Sequence, residues 1–294
     1  MGNAFIKQES HQSPNFGPTN SRPLFIPQAL EQMSPGLLRY EAGHGPYFKI
    51  VTSKGVVQVT YWKGTGTGFL MKISPGYNQP DIFGLITSKH VLPGLTPANL
   101  QQVEFSSDVF KLRWNAQKLT GGEPNNIIGL DKEGVDAIFF RMTHDFFQRY
   151  HPYIEFLEFD ARKNIKEIAD VAIFHYPGND VQKVSTGSIL KVLNGSYSGF
   201  LVHNVPTDNG SSGAPLVSKD GDVVGIYLGT IEDIDLARSL TNRNDIKFVN
   251  CACRIDYIIE VFTEHHDMQS EVLSCENVNS SNCMLHGQFV NLLK

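Results

Sequence analysis

The chain has 294 residues, 41% of them hydrophobic, and 26 glycines, enough to bury one large core or two small ones. A formal charge of −5 leaves no footprint for nucleic acid or for an anionic membrane surface. No run approaches the ~18 consecutive apolar residues of a transmembrane helix, and the opening MGNAFIKQES lacks the apolar core of a secretory signal, so a cytoplasmic location is expected.

Residues 1–45 are rich in Pro, Ser, Asn and Gln with little apolar periodicity and predict an extended N-terminal arm. Met1-Gly2 has the form of an acylation signal, but Ile6 occupies the place where Ser or Thr is wanted, so myristoylation is not expected. Residues 46–150 form a first β unit. Its short apolar runs, punctuated by Gly, Pro and Asn, predict about six strands, over 56–62, 68–73, 82–87, 102–105, 109–114 and 135–142. Residues 143–166, with Phe146, Phe147, Tyr150, Tyr153, Phe156 and Phe159, read as a connection with a helical turn that packs across the cleft between two units.

A second unit over 165–264 predicts strands at 171–175, 188–193, 199–204, 215–218, 222–228 and 247–253, then a helix over 255–262 from apolar residues at helical spacing. Residues 265–294 form a polar tail. All four cysteines, Cys251, Cys253, Cys275 and Cys283, fall after residue 250, so no disulfides staple the strands, which suits a reducing compartment. With His265 and His266 nearby a zinc site can be imagined, but the spacing matches no common ligand set, and ordinary free thiols are the favoured reading.

The run Asn209 to Pro215, NGSSGAP, carries the chemistry. A serine among glycines suits a nucleophile beside an oxyanion hole, and its hydroxyl needs a histidine to take the proton and a carboxylate to orient that histidine. His90 ends the apolar run before it, and Asp136 stands at the mouth of another. Asp170 also precedes an apolar strand and competes with Asp136, but the Tyr176-Pro177-Gly178 turn after it puts that strand in the second unit, which favours Asp136. A nucleophile elbow of the α/β-hydrolase type, with His265, would need a helix directly after the serine; residues 215–222 read instead as a hairpin.

ITSKHVL resembles the histidine segment of the trypsin-like serine peptidases, VDAIFF their aspartate segment and GSSGAP their nucleophile segment, in the order His, Asp, Ser. The resemblance covers residues 48–262 and is greatest toward the intracellular, viral and high-temperature-requirement branch. Gly66-Thr67-Gly68 is similar to the strand start before the histidine hairpin, and Asp222 to Tyr227 to the pocket strand after the nucleophile.

The resemblance implies an all-β, chymotrypsin-like fold: two six-stranded antiparallel β-barrels with a C-terminal helix. It implies a serine endopeptidase acting on a protein or polyprotein substrate, without cofactor or metal. His90, Asp136 and Ser212 would be catalytic, the N–H groups of Gly210 and Ser212 would form the oxyanion hole, and Pro206, Tyr227 and Leu228 would line the substrate pocket. The alternative is a peptidase fold kept for binding or scaffolding, without turnover.

Secreted trypsins carry Asp directly before the nucleophile; here that position is Ser211, so activation by insertion of a new N-terminus is not expected. Viral relatives that cut after Gln or Glu place a histidine after Gly-Ile on the pocket strand. Here Gly225-Ile226 is followed by Tyr227, with His203 on the neighbouring strand as the substitute candidate.

Overall fold

The computed structural model describes residues 53–62, 64–74, 80–109, 111–130, 135–159, 165, 170–179, 181–231 and 249–264. The expected arm, the Met1-Gly2 start, the tail and its Cys275, Cys283, His265 and His266 lie outside the described residues.

The strands of the first unit are β1 (Val56–Tyr61), β2 (Gly64–Ile73), β3 (Ile82–Ser88), β4 (Glu104–Ser107), β5 (Leu112–Asn115), β6 (Ile127–Leu130) and β7 (Ala137–Arg141). They pair antiparallel in the order β5-β4-β1-β2-β3-β7-β6. The second unit holds β8 (Asp170–His175), β9 (Lys183–Val192), β10 (Phe200–His203), β11 (Pro215–Ser218), β12 (Val223–Ile231) and β13 (Val249–Arg254). These close into a six-stranded barrel, β10-β13-β12-β11-β8-β9.

The all-β, antiparallel architecture is the expected one and the second unit is the expected six-stranded barrel, but the first unit is a sheet in place of the expected closed barrel. It has seven strands, not six; the added strand is β6, whose short run IIGL carries a glycine that breaks the strand pattern. The run predicted over 109–114 begins later, at Leu112, because Lys111 sits at φ 53 and interrupts the extended backbone.

Alternation drives the packing. In β1 the sequence VVQVTY alternates buried and half-buried positions, and its inward valines join Leu70, Leu85, Phe105 and Phe140 in the first core. Phe105 and Phe140 meet edge to face at 5.5 Å, and each buried ring contributes about 2–3 kcal/mol of burial. The second core gathers Val171, Ile173, Leu201, Leu216, Val224 and Ala252.

The rings of Phe146, Phe147, Tyr150 and Phe156 in the aromatic connection pack on the first sheet rather than across the cleft. The connection begins with helix α2 (His144–Tyr150), after the short α1 (Ala116–Thr120); Thr143 caps α2 by accepting the Phe146 N–H at 3.3 Å. Phe146 and Tyr150 pack on Trp114, and Phe147 and Phe156 on Phe83, all on the first sheet, because that sheet leaves apolar surface to cover. Leu157 then runs beside β2, donating to the Leu70 carbonyl at 2.9 Å, and the Glu158 carbonyl accepts from Val223 of β12 at 3.0 Å.

A helix over residues 255–264 follows β13. Cys251 and Cys253 are free and buried on β13. Among the described residues, no three His, Cys, Asp or Glu side chains are grouped to hold a metal ion, and no helix is long and apolar enough to cross a membrane.

Candidate active site

Apolar β3 ends at Ser88, and a single 3-10 turn, Lys89–Val91, then carries His90. Ser88 pairs with Ala137, so Asp136, the residue before β7, falls beside that turn. Asp136 bonds to the turn three times. Its carbonyl accepts the Lys89 N–H at 3.2 Å, one carboxylate oxygen accepts the His90 N–H at 3.0 Å, and the other pairs with His90 Nδ1. Both side chains are one-quarter exposed. Engaging Nδ1 leaves Nε2 as the ring nitrogen open to proton exchange. Asp170 instead opens β8 opposite Ser188, in the other barrel.

The loop carrying Ser212 precedes β11. Its N–H groups have a clear allocation: Asp208 donates to Ser211 Oγ, Asn209 to the Asp208 carboxylate, Ser211 to the Asp208 carbonyl, Gly213 to the Tyr227 carbonyl and Ala214 to the Ser211 carbonyl. Among the described residues, the N–H groups of Gly210 and Ser212 have no acceptor, and they are the only two such in the run 208–214. Gly210, at φ 89, adopts a backbone that a side chain would strain. The Ser212 hydroxyl donates to the Leu228 carbonyl at 3.4 Å and makes no hydrogen bond to His90 among the described residues. Catalytic hydrogen bonds are often loose before substrate binds.

The two sheets meet at this loop. Thr67 N donates to the Ser212 carbonyl at 2.8 Å. A Cβ built on Gly66 would lie 2.7 Å from the Val91 methyls and 2.8 Å from the Ser212 carbonyl, so the residue after His90 and the Ser212 backbone flank one point of β2. Thr67 Oγ1 donates to the Gly210 carbonyl at 2.8 Å and accepts the Tyr176 N–H at 3.0 Å, and Ser88 Oγ donates to the Tyr227 carbonyl at 3.2 Å. Sequence reasoning assigned no role to Thr67 or Ser88. The signal available was the Gly66-Thr67-Gly68 run, where a polar side chain between glycines sits in a buried strand.

Of the expected pocket residues, Tyr227 and Leu228 lie beside the loop through the bonds just described, while Pro206 is exposed. The β12–β13 register shifts between Tyr227 and Gly229, an irregularity of the kind that re-aims a strand, here beside Ser212. Tyr227 Oη accepts from Thr207 Oγ1 at 2.9 Å, and its ring meets His203 edge-on at 5.8 Å. His203 is fully enclosed: Nδ1 accepts the Val205 N–H at 3.2 Å, Nε2 has no partner among the described residues, and burial pushes its pKa down to about 3.

No curated protein matches the chain by sequence. Solved structures with similar folds include an inactive form of Rv3671c from M. tuberculosis H37Rv, at 15% identity over 72% of this chain and 86% of that one, with a TM-score of 0.47. A serine protease of human pathogenic astrovirus is 16% identical over 70% of this chain and 91% of that one, TM-score 0.43. A serine endoprotease from Yersinia pestis is 16% identical over 72% of this chain and 62% of that one, TM-score 0.48. The family model for the trypsin-like peptidase domain matches residues 66–226, more than half of the chain and a span that includes His90, Asp136 and Ser212. On that match the chain belongs to the trypsin-like peptidase family and so to the serine endopeptidases.

Proposed function

We propose that the chain cleaves peptide bonds through a His90–Asp136–Ser212 triad and an acyl-enzyme. Ser212 Oγ attacks the scissile carbonyl carbon while His90 Nε2 takes the hydroxyl proton. Asp136 keeps the imidazole in the tautomer that can do so and stabilises the imidazolium. The carbonyl oxygen, now an oxyanion, accepts hydrogen bonds from the Gly210 and Ser212 N–H groups. Collapse expels the amine, which takes the proton from Nε2; a water molecule then repeats the sequence on the ester, releasing the acid and restoring the serine.

The observation that carries this reading is the allocation of N–H groups around Ser212, with the two at the oxyanion-hole positions left over while their neighbours are bonded. The substrate is a protein or polyprotein segment, expected in the cytoplasm. It would be bound between the halves 46–150 and 165–264, with Pro206, Tyr227 and Leu228 toward its side chains. The contact from Ser212 Oγ to Leu228 favours a second reading, a silent binding fold.

A fluorophosphonate probe and a diverse peptide library separate the two. Labelling and cleavage by the wild type that vanish in Ser212→Ala support the triad, and the cleavage pattern reports the side chain preferred before the scissile bond. A folded wild type that neither labels nor cleaves rejects it.

A further inference from the structure

One buried polar cluster is not used by the mechanism above. Ser211, next to the nucleophile, is wholly buried, and its Oγ lies 2.7 Å from Nδ1 of His175, itself only 2% exposed at the end of β8. His175 Nε2 lies 3.1 Å from Ser185 Oγ on β9. Hydrogen accounting assigns the protons. Ser211 Oγ already accepts the Asp208 N–H at 3.1 Å, so a second donor from Nδ1 would leave the hydroxyl proton without an acceptor in a buried site. Ser211 therefore donates to Nδ1, and Nε2–H donates to Ser185.

The same corner of the second barrel holds the two residues before Ser211. Gly178 N donates to the Asn209 carbonyl at 2.6 Å, and Tyr176 N donates to the Thr67 hydroxyl that in turn holds the Gly210 carbonyl. A trans peptide is planar, with its C=O and N–H pointing in opposite directions. Anchoring the Asn209 carbonyl on Gly178, in the turn after β8, therefore turns the Gly210 N–H away from Gly178. By the same rule, the bond from Ala214 N to the Ser211 carbonyl, at 3.0 Å, turns the Ser212 N–H away from Ala214.

We propose that His175, through Ser211, is the positioning residue that keeps both oxyanion-hole N–H groups preset without any activating cleavage. This rests on the reading of Ser212 as nucleophile. The brace uses neutral groups throughout, which suits burial. Burial pushes the His175 pKa down to about 4; Lys183 on β9 acts in the same direction and Asp208 in the loop against it.

The test uses the full chain with His175→Ala, Ser211→Ala and His175→Asn, the last retaining an acceptor near the Nδ1 position. Turnover by the two alanine variants should fall about 10- to 100-fold, with KM within about threefold, since one oxyanion-hole donor is typically worth about 10²–10³ in rate. Affinity for a peptide boronate should fall in step with kcat, and His175→Asn should recover most of both. Nitrogen-15 NMR of the wild type should show His175 as the neutral Nε2–H tautomer from pH 7 to pH 5.

Unchanged kcat and boronate affinity in folded His175→Ala, or an Nδ1–H tautomer, overturns the brace while leaving Ser212 as nucleophile. A wild type without turnover overturns the reading of Ser212 and the brace with it.

Discussion

Asp136 holds His90 at two points at once: one carboxylate oxygen takes its backbone N–H at 3.0 Å and the other pairs with its Nδ1. The imidazole is thus fixed relative to its own main chain, and only its remaining nitrogen is left for chemistry. Asp136→Asn keeps the size but puts an amide where Nδ1–H needs an acceptor, favouring the wrong tautomer. Turnover should drop by a factor of about 10³–10⁴ with the folded structure retained. Steady-state kinetics beside a circular dichroism melt check this; a loss below tenfold would remove Asp136 from the catalytic role.

Thr67 is the hinge pin between the sheets. Its hydroxyl donates to the Gly210 carbonyl and accepts the Tyr176 N–H, both in the second barrel, from a wholly buried position on β2. Thr67→Val preserves shape but strands the buried Tyr176 N–H and the half-buried Gly210 carbonyl. At about 1–3 kcal/mol for each unsatisfied group, stability should fall by about 2–6 kcal/mol. Releasing the Gly210 carbonyl should also lower kcat at least tenfold. Urea denaturation and kinetics on the same preparation measure both, and a variant that loses neither would show the contact to be incidental.

Gly213, directly after Ser212, sits at φ 86, and a Cβ there would run into the Thr67 carbonyl and the Thr87 hydroxyl. Gly213→Ala should therefore cost the left-handed penalty of about 1–2 kcal/mol plus an overpacking penalty of about 1–3 kcal/mol. Gly195 provides the control, since it has φ 65 but no atom within 4 Å of a built Cβ. Gly195→Ala should show the backbone penalty alone. Equal effects in the two melts would mean that the inter-sheet contact carries no energy.

The difference between these glycines also marks how far the sequence could be read. Both appear in it as glycine in a polar turn, and only the fold brings Thr67 and Thr87 against one of them. Local pattern was legible: Ser212, His90 and Asp136 stand near strand ends in recognisable runs, and six of the first unit's strands begin or end within two residues of the expected limits. What was not legible depends on partners far along the chain. Thr67 reaches Gly210 across 143 positions, and Ser88 reaches Tyr227 across 139. His203 shows the same limit from the other side, since its sequence position suggested a group facing substrate, whereas the folded chain encloses its ring entirely.

Cys251 and Cys253 lie buried on β13, and burial pushes the Cys251 thiol up to about 12 and the Cys253 thiol in the same direction. Since the thiolate is the reactive species, neither should react in the native state. Alkylation followed by peptide mapping should find both unmodified before denaturation and modified after it. Rapid native labelling of either would contradict the burial.

Acid should destabilise the fold through its two buried histidines. Their folded pKa values, about 4 for His175 and about 3 for His203, lie below the ordinary 6.5 because burial disfavours the charged ring. As pH falls below 6.5 the unfolded chain binds a proton at each site and the folded chain does not, so the equilibrium shifts toward unfolding. Stability present above pH 6.5 is lost progressively toward pH 4, at about 1.4 kcal/mol per pH unit for each histidine. His203→Asn, which keeps an acceptor for the Val205 N–H but cannot titrate, should halve that part of the slope. Urea midpoints of wild type and variant at pH 7, 6 and 5 report it, and parallel slopes would mean that His203 already takes up its proton in the folded state.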